Sequence, residues 1–348
     1  VDKKLIITNS HFHDTPGTTC VGLYIHPSVS TLIDGCSFSN IGRFCVYMNG
    51  NPSHVPEYSI VRNCTFDDTT RFGIQTSKNT QTTVIGCRFQ NYSSNSISVI
   101  NDAIVSSCVF EGHYGVSGAR NLLVEDCIFT APTTGDAVTG HGVSYGTVSP
   151  IATAHGVIRN CQFLIPTSAT IGYTAVVMAG GDLIVDNCFV RSEGAYNSFI
   201  AFAIDDGNMR LKNCQVEGQL FGIYAPGTTV DTVDVDGCSF TGGSNFTVVQ
   251  SAATGFTWLR GRNNTFDSNA IYDDVGGGAA IGQLSLPERI NPTTAPSAAA
   301  MTLSANYNTV RVSGSANITS IAISSSAYGH RMFTGPLYLF AISRIAPD

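Results

Sequence analysis

The sequence predicts an all-β chain: a right-handed parallel β-helix of about ten to eleven coils followed by a small C-terminal β module. Three observations carry this. A phrase centred on cysteine recurs along most of the chain, apolar residues come in pairs spaced by two, and the residue before the cysteine is usually Asn or Gly.

The phrase reads aliphatic, any, Asn/Gly/Ser/Asp, Cys, any, Phe or Val. Nine cysteines sit in it: Cys36, Cys64, Cys87, Cys108, Cys127, Cys161, Cys188, Cys214 and Cys238. Clear copies are Ile33-Asp-Gly-Cys-Ser-Phe38, Val61-Arg-Asn-Cys-Thr-Phe66 and Val124-Glu-Asp-Cys-Ile-Phe129. Two flanking copies replace the cysteine with Ser10 and Asn264. Ten intervals between these average about 25 residues, a period that signals a solenoid.

Each coil is then built from short strands. The aliphatic residue and the Cys are three apart, so a straight strand would set them on opposite faces. The residue before the Cys resets the phase, because Asn and Gly accept left-handed backbone geometry; the column contains Asn9, Gly35, Asn63, Gly86, Asn160, Asn187, Asn213, Gly237 and Asn263. After that bend, Cys and Phe both point inward. A third strand follows in most coils, with Val46, Ile74, Ile97, Val116, Val143, Val176, Ile223 and Val248 as its inward residue. A second turn column, Asp102, Asn121, Asp182 and Asn208, precedes the next aliphatic position. Stacking at roughly 4.8 Å per coil gives a rod about 48 Å long. The thiols read as small hydrophobes of the core. No CxxC pair occurs, and stacked residues point the same way, which disfavours disulfides.

Residues 1–282 form the expected rod, 283–300 a Pro/Ala/Thr linker without periodicity, and 301–348 a small antiparallel β unit, too short to bury much surface alone.

The chain carries 18 Lys+Arg against 25 Asp+Glu, a formal net charge of −7, which argues against nucleic acid as a partner. Only 12% of its residues are charged while 43% are hydrophobic, so it is neither disordered nor a charged coiled coil. No apolar run approaches the roughly 20 residues of a membrane helix, and Val1 opens no signal peptide. The His residues show no metal-ligand spacing beyond His11 and His13, so no metal and no cofactor is expected.

The coil phrase, the long β-helix and a terminal β module after a Pro-rich segment resemble bacteriophage tailspikes, the pectate-lyase-like β-helix depolymerases of capsule and lipopolysaccharide. The phrase is shared with pectate lyases, rhamnogalacturonan and polygalacturonic acid hydrolases, and epimerases, so it marks the scaffold rather than the reaction. The resemblance implies a homotrimer on a virion tail that binds and cleaves a bacterial surface polysaccharide, with sites in grooves within or between subunits.

Equal offsets from the repeated Phe become columns on the rod surface. Offsets one and two hold Asp67 and Asp68, then Gln90 and Asn91, then Glu111 and Gly112; offset five holds Arg43 and Arg71, with His113 and Tyr114 near Glu111. Glycoside hydrolysis needs one carboxyl as acid and one as base, so Glu111 is the candidate acid and Asp67 or Asp68 the base. Arg43, Arg71, His113, Tyr114, Tyr47 and Gln75 are candidate substrate contacts. Gly73, Gly115, Gly142 and Gly222 are expected to face out beside Tyr47, Gln75, Ser98, Ser117 and Ser144, as a floor for sugar rings. Inserted segments carrying Asn51–Tyr58, and Asp136, His141, Tyr145 and His155, would wall it. A second cluster comprises Arg191, Glu193, Tyr196, Asp205, Asp206 and Glu217. Two alternatives stay open: a lyase, in which Arg43 or Arg71 neutralises a uronate while His113, Tyr47 or Tyr114 moves the proton, and a non-catalytic glycan-binding spike.

Overall fold

The computed structural model describes residues 4–25, 30–49, 57–67, 71–76, 80–99, 102–118, 120–132, 140–146, 155–167, 172–193, 199–218, 221–225, 229–241, 246–250, 258–266, 272–274, 284–285, 293–296, 300–304, 310–313 and 320–324. Contacts divide the chain into Val1–Asn291 and Pro292–Asp348.

The first unit is a parallel β-helix. Every strand pairing in it is parallel and joins one coil to the next: Ile33 lies beside Ile7 and Val61, Phe66 beside Phe38 and Phe89, Ile74 beside Val46 and Ile97. Three ladders result. Among the described residues the first has twelve strands, from Lys4–Thr8 through Glu57–Arg62 and Leu122–Glu125 to Leu284–Ser285. The second carries the Cys-x-Phe strands, such as Ser37–Ile41 and Gln162–Ile165. The third carries the following strands, such as Phe44–Met48 and Gly140–Tyr145. Arg88–Val99 and Val109–Gly118 run through the second and third ladders without a break and join them.

The phase reset is where the residue types place it. Asn63, Asn160, Asn187 and Asn213 have φ of 53, 55, 52 and 52°, and Gly35 and Gly237 match them at 64 and 65°. Ser107 and Asp126 take the same geometry at φ 55°, in the two copies that lack Asn or Gly. The Asn side chains also staple coil to coil: Asn63 Nδ2 donates to Asp34 Oδ1 at 3.0 Å, and Asn187 Nδ2 to Asn160 Oδ1 at 2.9 Å.

The turn sets the core. Beyond it the Phe rings stack face to face, Phe66 on Phe89 at 4.6 Å and Phe110 on Phe129 at 4.6 Å, with planes within 4° of parallel. The thiols form a second interior column, each Sγ donating to the carbonyl two residues back, as Cys108 does to Ser106 at 3.2 Å. All eleven cysteines are free, and ten are buried. Burial pushes the Cys36 thiol up from its ordinary pKa. On the second turn column, Asn121 Nδ2 donates to Asp102 Oδ1 at 2.8 Å and Asn208 Nδ2 to Asp182 Oδ1 at 2.9 Å.

The outer face of the first ladder carries an aliphatic column. Ile6 lies beside Leu32, Leu32 beside Ile60, and Thr83 between Ile60 and Ile104. Leu123, Val157 and Ile184 continue it before Arg210 and Asp234 end it.

The second unit departs from the expected antiparallel module. Thr293–Pro296 pairs parallel with Val310–Ser313, and Ala300–Ser304 parallel with Ser320–Ser324. Alternating residues identify strands but not their direction, and connections of this length permit a parallel crossover. The first of these strands falls in the segment expected to be linker. The expected strand at 335–340 lies outside the described residues.

Candidate functional site

Because each Phe faces inward, the next residue faces outward. The register stacks these residues into one column: Ser39 beside Asp67, Asp67 beside Gln90, Gln90 beside Glu111, Glu111 beside Thr130. Asp67 and Glu111 thus stand two rows apart on hydrogen-bonded strands. Asp68 lies outside the described residues.

Each carboxylate has a partner. Arg88, one row from Glu111, donates from one Nη2 to both Glu111 oxygens at 3.0 and 2.9 Å, and its Nε donates to Gln90 Oε1 at 3.1 Å. The side chains are 54% and 41% exposed, so the pair sits in solvent. Asn91 Nδ2 donates to Asp67 Oδ1 at 2.8 Å, and Asn91 has φ of 59°, where the strand bends away.

On the third ladder, residues two before the inward position form another column, half-buried at Asn95, Tyr114 and His141 and buried at Thr174. Asn95 lies beside Tyr114, Tyr114 beside His141, His141 beside Thr174. The rings of Tyr114 and His141 meet edge to face at 5.4 Å, and His113 and Tyr114 lie 6.5 Å apart. Burial lowers the His141 pKa from its ordinary value, and its Nδ1 is buried without a hydrogen-bond partner among the described residues. Burial thus favours the neutral imidazole, whose Nδ1 is enclosed by the protein rather than exposed. The residues after the inward position, Tyr47, Gln75, Ser98, Ser117 and Ser144, form a continuous half-exposed row of hydroxyls and amides.

Arg43 and Arg71 occupy adjacent rows, since Phe72 N donates to Arg43 O at 2.9 Å. Arg71 is exposed. The Arg43 guanidinium lies over the Phe44 ring at 4.7 Å, and its Nε is buried without a partner among the described residues.

Several expectations are corrected. Gly73, Gly115, Gly142 and Gly222 are buried rather than facing solvent. A Cβ on Gly115 would lie 2.6 Å from the Phe129 ring, and one on Gly142 2.6 Å from the Phe163 ring, so the glycines make room for the stacked rings. The strand turns inward one residue earlier than alternation implies, and the row after the inward residue stays at the surface. His141 and Tyr145 lie on the strand Gly140–Tyr145 rather than in a wall, and Tyr145 is buried in the core. His155 starts the strand His155–Arg159. Asp136, and 51–56 of the other inserted segment, lie outside the described residues.

The second cluster splits. Glu217 shares the outward column of Glu111, with Arg191 one row away at 3.9 Å and Gln215 Nε2 donating to it at 2.6 Å. Asp205 sits just past the third-ladder strand Phe199–Ile204, and Asp206 opens the first-ladder strand Asp206–Lys212. Asp206 Oδ1 accepts from Gly207 N at 2.8 Å, and burial raises the Asp205 pKa. These are turn carboxylates, separated from Glu217 by a whole strand. Glu193 is exposed just past the strand Phe189–Ser192, and Tyr196 lies outside the described residues.

Sequence reasoning missed Arg88, Asn91 as a ligand of Asp67, and His141 as a strand residue. The signal for Arg88 was present: it lies two before Gln90 on the same strand and so faces the same side. Among the described residues no group of three or more His, Cys, Asp or Glu is placed to hold a metal. Among the described residues no helix is long and apolar enough to cross a membrane.

Residues 2–149 match the family model for the right handed beta helix region. The rod is a right-handed parallel β-helix. This scaffold is common in polysaccharide-acting enzymes and adhesins. No curated protein and no solved structure matches the chain.

Proposed function

We propose that this β-helix is the rod of a bacteriophage tailspike, a homotrimer on the virion tail that binds and cleaves a bacterial surface polysaccharide, capsule or lipopolysaccharide O-chain, by glycoside hydrolysis. The observation that carries the reading is the single outward column Asp67–Gln90–Glu111 on the second ladder; the Tyr114–His141 pair and the hydroxyl row lie on the third ladder, which Arg88–Val99 and Val109–Gly118 join to the second without a break. Rows two apart are about 9.6 Å apart along the rod, which matches the roughly 6.5–9.5 Å carboxyl spacing of inverting hydrolases once the side chains lean together. Glu111 protonates the leaving oxygen and Asp67 activates water from the other face. Arg88 occupies Glu111 in the free protein; an exposed pair is weak enough for a substrate hydroxyl or carboxylate to take Arg88 and free the acid. Aromatic faces and short polar side chains suit a polyhydroxylated chain.

The test is reducing-end release from a panel of capsular and O-chain polysaccharides. Asp67→Asn and Glu111→Gln are expected to abolish cleavage while leaving binding in place. Normal cutting by both variants rejects the assignment.

A uronate lyase is the second reading, supported by one observation: a half-buried His141, its ring kept neutral by burial, stands edge to face with Tyr114 on a rod that also presents Arg43 and Arg71. Its products absorb in the near ultraviolet and hydrolytic ones do not.

A further inference from the structure

The first two coils carry a cluster that glycoside hydrolysis does not use. On the second ladder His11 lies beside Ser37 and Ser37 beside Thr65, while His13 lies beside Ser39 and Ser39 beside Asp67. All six face outward, because they alternate with the stacked rings of Phe12, Phe38 and Phe66.

Ser37 Oγ is hydrogen-bonded to His11 Nδ1. The His11 ring stacks on the His13 ring, with centroids 4.6 Å apart and planes 24° from parallel. His13 Nδ1 donates to Asp14 Oδ2 at 2.8 Å, and Asn40 Nδ2 donates to Asp14 Oδ1 at 3.0 Å. These bonds, the one from His13 first, hold the Asp14 carboxyl below its ordinary range. The two histidines are thereby divided. Ser39 stands beside His13 as Ser37 stands beside His11, but His13 is taken by an acid and His11 by a hydroxyl.

We propose that Ser37 and His11 form a nucleophile–base pair that cleaves O-acetyl esters of sugars. An activated hydroxyl is marked by a base within hydrogen-bond reach that a third group keeps in place. His11 supplies the reach, and its stack on His13 supplies the placement. With its own proton on Nε2, His11 takes the Ser37 proton at Nδ1 while Oγ attacks the ester carbonyl carbon. The bond from that carbon to the sugar oxygen then breaks, and the sugar oxygen takes the proton from Nδ1. Water next attacks the acetyl-serine and gives a proton to Nδ1. Acetate leaves as Ser37 recovers that proton. The charge of Asp14, one ring away, favours the imidazolium formed in each half of the cycle. Thr65, exposed and in register with Ser37 on the side away from His11, brings a hydroxyl that can donate to the carbonyl oxygen.

Two features select the substrate. A hydroxyl nucleophile with an imidazole base performs acyl transfer, whereas a glycosidic bond calls for two carboxyls. The pair also stands on an open strand face one row from Asp67, so it meets a substituent carried on a chain that lies along the Asp67–Glu111 column. Only the sugar as leaving alcohol rests on the glycan reading; acyl transfer to Ser37 does not.

The test is to mix the full chain with p-nitrophenyl acetate, quench in acid and map the peptides by mass spectrometry. An acetyl group is expected on Ser37. Other exposed imidazoles hydrolyse this ester too, so the covalent mark decides rather than the overall rate. Ser37→Ala is expected to lose the mark and Ser39→Ala to keep it, while His11→Gln slows its formation by about 100-fold. His13 is a positioning residue: His13→Ala is expected to slow acylation by about tenfold, and His13→Phe, which keeps a stacked ring, to restore it. Acetate release from glucose pentaacetate checks the sugar ester. Absence of acetyl on Ser37, or acetylation of His11→Gln at the wild-type rate, overturns the proposal. His13→Phe as slow as His13→Ala overturns the positioning role, and an acylated Ser37 that releases no acetate from glucose pentaacetate overturns the sugar ester as substrate. Acylation of Ser37 in a chain that cuts no polysaccharide rejects the glycosidase and leaves the esterase standing.

Discussion

Arg88 reaches one row along the rod and holds both carboxylate oxygens of Glu111, at 3.0 and 2.9 Å. The contact ties a candidate catalytic acid to a cation that the repeat places at an outward strand position. Because both side chains are about half exposed, water competes for the pair and its contribution to folding is small. Arg88→Met is expected to change unfolding free energy by less than about 1 kcal/mol and to alter the pH profile of cleavage, measured by denaturant melts and by reducing-end release across pH. A large loss of stability would make the pair a structural staple.

The Phe column is the interior counterpart. Phe110 stacks between Phe89 at 5.0 Å and Phe129 at 4.6 Å and is fully buried. Phe110→Ala removes a ring from both neighbours and leaves a cavity, so a loss of about 3–5 kcal/mol is expected in chemical denaturation. A loss under about 1 kcal/mol would mean that the core collapses around the gap.

The glycines beside that column are steric. Gly142→Ala sets a methyl 2.6 Å from the Phe163 ring and 2.7 Å from the Ala175 carbonyl. Overpacking of this kind costs about 1–3 kcal/mol, whereas Ser144→Ala, two residues on in the surface row, is expected to leave the melting temperature unchanged. Equal melts for both would return Gly142 to the surface.

Ser107 holds φ of 55° where other coils use Asn or Gly. A left-handed conformation costs an ordinary L-residue roughly 1–2 kcal/mol, and Ser107→Gly removes part of that cost. A rise in melting temperature is the expected result; a fall would show that the Ser106–Ser107 hydroxyl contact at 3.4 Å matters more than the backbone strain.

Burial lowers the His141 pKa in the folded chain, so folding favours the neutral ring. Its contribution is complete above the unfolded value near 6.5 and is lost as pH falls through the lower folded value. Wild type is therefore expected to lose more melting temperature than His141→Gln between pH 7.5 and 5.5. Identical losses would mean that His141 titrates alike in both states.

Much of the fold was legible in order of residues alone. The Cys-x-Phe phrase, the left-handed turn before it and the period near 25 residues establish coils, because only stacking lets a short phrase with no helix bury Cys64 and Phe66 in every repeat. Equal offsets then gave the column Asp67, Gln90 and Glu111, since hydrogen-bonded parallel strands keep register from coil to coil. Side-chain reach and the bends between ladders were not legible. That Arg88 turns to Glu111 and Asn91 to Asp67 depends on rotamers and diagonal neighbours, which offsets do not encode. That Gly115 and Val116 both face inward depends on how sharply the chain turns between the second and third ladders, where strict alternation fails. Direction of pairing at Thr293–Pro296 was likewise invisible, because alternation is the same in parallel and antiparallel strands. Sequence determined the rod and its rows; tertiary structure decided which atoms meet across those rows, because contacts between coils depend on backbone bends and side-chain directions that local pattern leaves free.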